Sequence, residues 1–395
     1  MSSWQTYTID DVAEVFDGPH ATPTKTESGP WFLSISSLVS GRLKLTESAH
    51  LSEADFERWT RRVTPQAGDV LFSYETRLGE AALMPAGVKA ALGRRMGLLR
   101  PRRKLVEPRF LLLAYLSPQF QEVIRQRQIH GATVDRIPLV DLPRWPIRIP
   151  DIPTQRGISS VLGALDDKVA VNERIAETYE DLFRAKFAAL GTNEDGDCPV
   201  SDLVEFNPRT ARAEQHEAVY VDMAALPTQH SSIRAWSRRA PKSGSRFQNG
   251  DTLLARITPC LENGKTGYVD FLSDGEVGTG STEFIVMRPK GDVPPQFPYF
   301  LARDERFREH AVRKMVGSSG RQRVSAADAA DFYVRRPNPG KLSVFGAEAD
   351  AAFRHLKSLM AEARSLEHLR DTLLPELMSG RLRVRDAEKA IEDAV

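Results

Sequence analysis

Gly68-Asp69-Val70-Leu71-Phe72-Ser73 and Gly250-Asp251-Thr252-Leu253-Leu254-Ala255 are two versions of one pattern, 182 positions apart. In each, a glycine and an acid precede a short run of strand-forming residues. Further on, Trp145-Pro146-Ile147-Arg148-Ile149-Pro150 is answered by Phe332-Tyr333-Val334-Arg335-Arg336-Pro337, at an offset of 187. After each of those final prolines the chain turns into a long, weakly heptad-like segment. The order is globular unit, long helix, globular unit, long helix. A period of this size is too long for a solenoid and fits a duplicated domain-plus-helix module. Two similar readers held apart by a rod suit a target made of two separated parts.

A length of 395 residues leaves room for two or three domains, each with its own core. Twenty-five prolines and 26 glycines predict many turns and short strands. The net charge is only +1, so the chain as a whole does not have the composition of a polyanion binder. Its basic residues are nevertheless clustered. Arg94, Arg95, Arg100, Arg102, Arg103 and Lys104 fall together, as do Arg234, Arg238, Arg239, Lys242 and Arg246. A solvated surface and a nucleic-acid contact are the two readings of such runs, and their presence in both halves favours the second. Cys198 and Cys260 are the only cysteines and lie outside any paired-ligand spacing, which argues against a disulfide framework or a zinc cluster. Met1-Ser2-Ser3-Trp4-Gln5 lacks the basic-then-apolar pattern of a signal peptide. The apolar run Phe110 to Leu116 is far shorter than the ~20 residues a membrane span needs. The expectation is a cytoplasmic protein with no membrane partner.

The first globular unit is read over residues 1–150. Trp31 to Ile35 and Asp69 to Tyr74 look like strands, and Pro108 to His130 like a helix with Phe110, Leu113, Leu116 and Phe120 on one face. A spacer helix is predicted over 151–191. There Ile158, Leu165, Asn172 and Tyr179 recur every seventh residue, and Leu162, Val169, Ala176, Phe183 and Leu190 form the complementary series. This is a seam for helix-on-helix packing, with Asn172 as a buried amide that fixes register. The alternative is a single long helix laid on a core. Residues 192–338 form the second unit, with strands around Val219–Val221, Thr252–Ala255 and Glu283–Met287 and a helix from Pro298 to Val316. A distal helix follows over 339–380, its regular part from Ser343 to Ser379. Leu356, Leu359, Ala363, Leu366, Leu373 and Leu377 form its stripe, and residues 381–395 are left as a tail. The fold class expected is α+β: two similar mixed units and two long helices paired antiparallel, with a pseudo-twofold internal duplication.

Catalytic motifs are sought and not found. Gly264-Lys265-Thr266 has Pro259 where a phosphate-binding loop needs its first glycine, so Lys265 is read as a turn residue facing solvent or a phosphate backbone. Asp151 with Asp166, Asp167 and Lys168 imitates a metal-dependent nuclease, but the last three lie on the seam helix, where a solvated face is expected. No histidine spacing suits a metal, there is no Gly-x-Ser-x-Gly elbow, and Asn207-Pro208-Arg209 lacks the rest of an amino-methyltransferase pocket. What remains is loop chemistry suited to bases and phosphates. In the first unit the candidates are Ser73, Tyr74, Thr76 and Arg77 after a strand, and His130, Thr133 and Arg136 after a helix. The second unit places Arg256, Thr258 and Lys265, then Ser318, Ser319, Arg321, Gln322 and Arg323, at the equivalent points. Arginine pairs bidentately with guanine and glutamine with adenine, while hydroxyls and backbone N–H groups hold phosphates. The Gly317-Ser318-Ser319-Gly320 turn is expected to bring backbone close to phosphate while Arg321 and Arg323 extend to base edges. For each residue the competing reading is a purely structural one.

These segments resemble the specificity subunit of type I restriction-modification enzymes over essentially the whole chain. Asp17-Gly18-Pro19-His20-Ala21-Thr22-Pro23 looks like the opening of one group of that family's target-recognition domains. Residues Asn249 to Lys265 and Gly280-Ser281-Thr282-Glu283-Phe284 look like stretches of another group. Ile152 to Arg156 leading to Leu165-Asp166-Asp167-Lys168 resembles the central spacer helix, and Leu369 to Gly380 the distal one. The resemblance implies two recognition domains, each reading half of a bipartite double-stranded DNA site, with a coiled coil that docks two modification (methyltransferase) subunits and sets the spacer. S-adenosylmethionine would belong to those subunits, and ATP and Mg to the restriction/translocase subunits. This chain would be non-catalytic and bind none of them. Rival readings are a specificity subunit of a related restriction system, a stand-alone nuclease or methyltransferase, and a non-DNA scaffold.

Overall fold

The computed structural model describes residues 4–20, 22–131, 134–192, 194–211, 216–240, 243–318 and 320–393. The chain divides into two compact units, Met1–Asp167 with Leu366–Val395, and Lys168–Ser365. Each unit therefore holds one globular part and a stretch of both long helices.

The first unit is built on an antiparallel sheet whose strands run in the spatial order Ala13–Asp17, Met96–Pro101, Val70–Ser73, Ala81–Leu83. The second repeats it with Val204–Phe206, Phe284–Pro289, Thr252–Ala255 and Thr266–Tyr268. The repeated Gly-Asp pattern enters the central strand of each sheet, and its chemistry is the same in both. Gly68 (φ +91) and Gly250 (φ +89) take the left-handed conformation that glycine adopts without steric cost. The buried acid that follows accepts the backbone N–H of the residue three before it, Gln66 to Asp69 and Gln248 to Asp251, both at 2.8 Å. It then takes two parallel bonds from an arginine on the neighbouring strand. Arg100 donates to Asp69 at 3.0 and 2.8 Å, and Arg288 to Asp251 at 2.7 and 2.7 Å. This fork geometry ties strand entry to strand neighbour in each sheet.

The second repeated pattern closes each unit. Pro146–Ile149 pairs antiparallel with Gln5–Thr8, and Tyr333–Val334 pairs with Cys198–Pro199, so the end of each globular part returns to its beginning.

Several sequence expectations are corrected. The strand near Trp31 spans Thr26–Phe32 and gives way to a 3-10 turn at Ile35–Ser37. The helix expected from Pro108 to His130 is two helices, Pro108–Leu116 and Pro118–Arg127. Pro118 pushes Ser117 into an extended conformation, and the Ser117 hydroxyl caps the Phe120 N–H at 3.3 Å. The second unit breaks at the same point without a proline. Asp304 is extended and caps the Phe307 N–H at 3.1 Å, dividing Phe297–Arg303 from Glu305–Arg313. Residues 381–395 are not simply a tail, since Val384–Glu392 is helical and Ala387 is buried.

The first long helix, Ile152–Phe187, starts where Asp151 accepts the Thr154 N–H at 2.9 Å. The second spans Pro339–Ser379, starting where Asn338 accepts the Lys341 N–H at 3.2 Å with Pro339 at the first helical position. Gly380, at φ +78, ends it. Within the second unit the two helices run antiparallel: Lys168 meets Glu362, Asn172 meets Leu359 and Glu362, Tyr179 meets His355, and Lys186 meets Glu348. In the first unit Asp166 meets Arg370 at 2.9 Å. The expected seam residues Ile158, Leu162, Leu165, Val169, Ala176, Phe183 and Leu190 are buried, as is Asn172, and Tyr179 is half-buried. Phe183 and Phe187 anchor the second unit's core against Phe297, Phe300 and Phe345, with ring centroids 5.1–6.3 Å apart. Each such ring buries roughly 150–250 Å² and stabilises its unit by about 3 kcal/mol.

Asp166 is half-buried, and Asp167 and Lys168 are exposed, as expected of a solvated helix face. They diverge to Arg370, Arg109 and Glu362. Among the described residues no group of three or more His, Cys, Asp or Glu could hold a metal ion, and no helix is long and apolar enough to cross a membrane.

Candidate nucleic-acid interface

In both units the loop leaving the central strand is stitched to the loop that follows the helix pair. The first unit does so through Tyr74, whose N–H donates to the Arg95 carbonyl at 3.1 Å and whose carbonyl accepts the Ile137 N–H at 2.9 Å. The second does so through Arg256, with its N–H on the Glu283 carbonyl at 3.0 Å and its carbonyl accepting the Val324 N–H at 3.0 Å. The helix-following loops close alike. Ile129 and Arg136 exchange both backbone bonds at 2.9 and 3.0 Å, and Val316 and Arg323 do so at 2.9 and 2.9 Å. Such an exchange sets two residues directly opposite each other. Each loop thus places an exposed aliphatic side chain beside an arginine, at equivalent positions.

The candidates fall into two sets. The first set serves the fold. Ser73 is fully buried and its hydroxyl donates to the Glu75 carbonyl at 2.7 Å, so it shapes the turn and does not face outward. Tyr74 is buried too, and burial raises its phenol well above the ordinary tyrosine range. Arg77 is held by Glu80 at 3.2 Å and the Ile35 carbonyl at 3.3 Å. Thr258 is locked onto the opposite loop, since its hydroxyl accepts the Gln322 N–H at 2.9 Å while its own N–H donates to the Gln322 carbonyl at 3.0 Å. Lys265 is half-buried, and its ammonium donates to the Met223 carbonyl at 2.8 Å. Arg323 does not extend freely: its guanidinium grips Glu283 through bonds of 2.8–2.9 Å, and Arg323 in turn holds the Glu283 carboxyl below the usual carboxylate range. Arg256 lies 3.8 Å from the same carboxylate.

The second set points outward. Thr76, in the left-handed conformation at φ +72, is exposed. His130 is exposed beside Asp135 at 3.1 Å. Arg136 and Arg321 are exposed, and among the described residues neither guanidinium has a hydrogen-bond or ion partner. Ser318 is exposed and its carbonyl accepts the Arg321 N–H at 3.0 Å, while Gln322 is half-buried. Thr133 and Ser319 lie outside the described residues, as does Lys242.

The basic runs seen in sequence do not make continuous patches. Arg100, Arg102 and Arg103 are held by Asp69, Glu14 and the Ala67 carbonyl. Arg234, Arg238 and Arg246 are held by Glu173, Glu276 and the Thr210 carbonyl, and Arg239 lies over the Tyr220 ring. Only Arg94 and Arg95 of the first run face the loops. They line a 410 Å³ cleft with His20, Ile129, Arg136 and Val140. His20 also lines a second cleft, of 500 Å³, with Arg58, Trp59, Arg61 and Arg62. The sequence does not single out these three arginines. Their only signal is a short basic run at the end of the helix Glu53–Trp59, which becomes informative once His20 connects the two clefts.

In both units the exposed loops thus repeat an arginine beside an aliphatic residue. Residues 1–180 match the family model for the type I restriction modification DNA specificity domain, in agreement with the resemblance of the chain's motifs. The specificity subunit of the Escherichia coli type I restriction enzyme EcoAI is 31% identical over 130 residues, which is 31% of this chain and 22% of that protein. The EcoEI specificity subunit, also from Escherichia coli, is 27% identical over 189 residues, 44% of this chain and 32% of that protein. The chain thus spans less than a third of the length of either relative. A solved type I restriction-modification S subunit from M. genitalium shares the fold over 95% of this chain and 96% of its own, with a TM-score of 0.55 at 15% identity.

Proposed function

We propose that this protein is the DNA-recognition subunit of a type I restriction-modification enzyme, with each unit reading one part of a bipartite double-stranded site. The observation that supports it most is the recurrence, in both units, of the stitched loop pair that ends in an arginine beside an aliphatic residue. In this reading Arg136 and Arg321 reach base edges or phosphates, and Ile129 and Val316 offer apolar contact of the kind a thymine methyl accepts. Ser318, His130 and Thr76 are placed for backbone contacts.

The chain is non-catalytic in this account. Two modification subunits would dock on its helices and hold S-adenosylmethionine, and restriction subunits would add ATP- and Mg-dependent cleavage. The test is selection from a library of random duplexes by the full chain together with its modification subunits. Enrichment of two short fixed motifs around an unspecified gap supports the reading, and enrichment of nothing refutes it.

A further inference from the structure

The two loop pairs are built alike in backbone, yet their charges are exchanged. Tyr74 bonds to the carbonyl of residue 95 as Arg256 bonds to that of residue 283, which makes Arg95 and Glu283 structural equivalents. By the same pairing Arg136 corresponds to Arg323. In the second unit the acid sits at this shared position, where it holds Arg323 through three bonds of 2.8–2.9 Å and has Arg256 at 3.8 Å. In the first unit the position is an arginine, whose own acid is Glu75 on the adjacent loop. Arg136, and Arg94 beside it, are left with no anion among the described residues. Across His20 stand Arg58, Arg61 and Arg62, of which Arg62 lies near an acid, Asp17 at 3.9 Å.

A guanidinium held bidentately by a carboxylate must break two charge-assisted bonds before it can neutralise a phosphate, whereas an unpaired one need not. Resting on the DNA reading above, we propose that the units divide the interaction. The first supplies the salt-sensitive, sequence-independent grip on duplex phosphates through Arg94 and Arg136. In the second, Glu283 withholds Arg323 and Arg256 from phosphates, leaving Arg321 as its free loop arginine.

The test is the affinity of the full chain for a non-specific duplex, measured by anisotropy between 50 and 200 mM KCl. Each phosphate neutralised adds about 0.9 to the slope of log K against log salt, or roughly 3.5-fold in affinity across that range. Arg136→Gln should lower the slope by about 0.9, and the equivalent Arg323→Gln by less than half as much. Glu283→Gln should steepen it by about 0.9 to 1.8, as one or two arginines are released. Equal losses from Arg136→Gln and Arg323→Gln would overturn the proposal, as would an unchanged slope in Glu283→Gln. The Arg136 guanidinium has no partner to lose among the described residues, so its variant folds and keeps the comparison decisive even if Glu283→Gln does not fold. No duplex binding by the unmodified chain would overturn the DNA reading itself, and this inference with it.

Discussion

Asp251→Ala should loosen the second unit and leave the first intact, and its size follows from what the carboxylate holds. The Asp251 side chain is 1% exposed and Arg288 is 19% exposed. Removing the acid strands a largely buried guanidinium that keeps, among the described residues, only a 3.2 Å contact to the Thr210 hydroxyl, and it orphans the Gln248 N–H at the strand entry. Breaking a buried pair by deleting one partner costs about 3–5 kcal/mol. The matching change Asp69→Ala should cost less, about 2–3 kcal/mol, for two reasons. Arg100 is 27% exposed, and it retains the Thr64 carbonyl at 2.9 Å. Because a chain of two units need not unfold in one step, hydrogen exchange resolved by peptide is the suitable assay. A loss of about 3 kcal/mol corresponds to roughly 100-fold faster exchange in the strands Thr252–Ala255 and Phe284–Pro289, with the first unit's strands unchanged. Arg288→Met on the Asp251→Ala background should recover part of the loss, since no uncompensated charge then remains. Exchange accelerated equally in both units, or by less than about fivefold in the second, would refute this account of the repeated Gly-Asp pattern.

Arg321→Ala should weaken discrimination at one half-site by about 1–3 kcal/mol without altering the other, read from binding to sites changed in one half at a time. Uniform weakening with a shallower salt slope would instead make Arg321 a phosphate contact. Glu180 is buried, accepting the Ser231 N–H at 2.6 Å and the Tyr299 hydroxyl at 2.9 Å, and burial raises its carboxyl above the usual range. The folded state therefore binds its proton more tightly than the unfolded chain. The second unit should lose stability as pH rises from the ordinary carboxylate range, about 4.3, through the raised value. Glu180→Gln should flatten that dependence in thermal melts, and an unaltered pH profile would contradict it. Asn172 donates across the helix pair to the Leu359 carbonyl at 3.3 Å and Glu362 at 2.8 Å, but its side-chain oxygen is buried with no partner among the described residues. Asn172→Leu should raise thermal stability by about 1 kcal/mol, and a lower melting temperature would show the amide to be a net stabiliser.

The parts of the fold that were legible in sequence are those in which the period of burial matches a simple repeat. The seam residues from Ile158 to Leu190 announce the first long helix because apolar side chains at 3.5-residue spacing, sustained over that length, line up on one face only if the backbone is helical. The two Gly-Asp patterns mark equivalent strands because a left-handed turn and a buried acid are both demanding of residue type. The break at Ser117 was marked by Pro118, but the equivalent break at Asp304 has no proline, only an acid three residues before Phe307. The candidate interface was less legible. Its loops stand out by their polar and basic composition, but composition does not separate Arg136, whose guanidinium is unpaired among the described residues, from Arg323, which is held. The difference lies in residue 283, some 40 positions away and brought near only by the sheet. Arg58, Arg61 and Arg62 were hidden for the same reason, since they join the loop cleft through His20 and not through sequence.

The central claim, that two like units each read part of one DNA site, is tested most directly by removing the reading residues one at a time. The full chain with its modification subunits would be assayed for the adenines methylated across a genome, first unmodified and then with Ile129→Ala or Arg321→Ala. The account predicts a two-part motif with a fixed gap, in which Ile129→Ala relaxes one part alone and Arg321→Ala the other. A single contiguous motif, or one part relaxed by both changes, would contradict it.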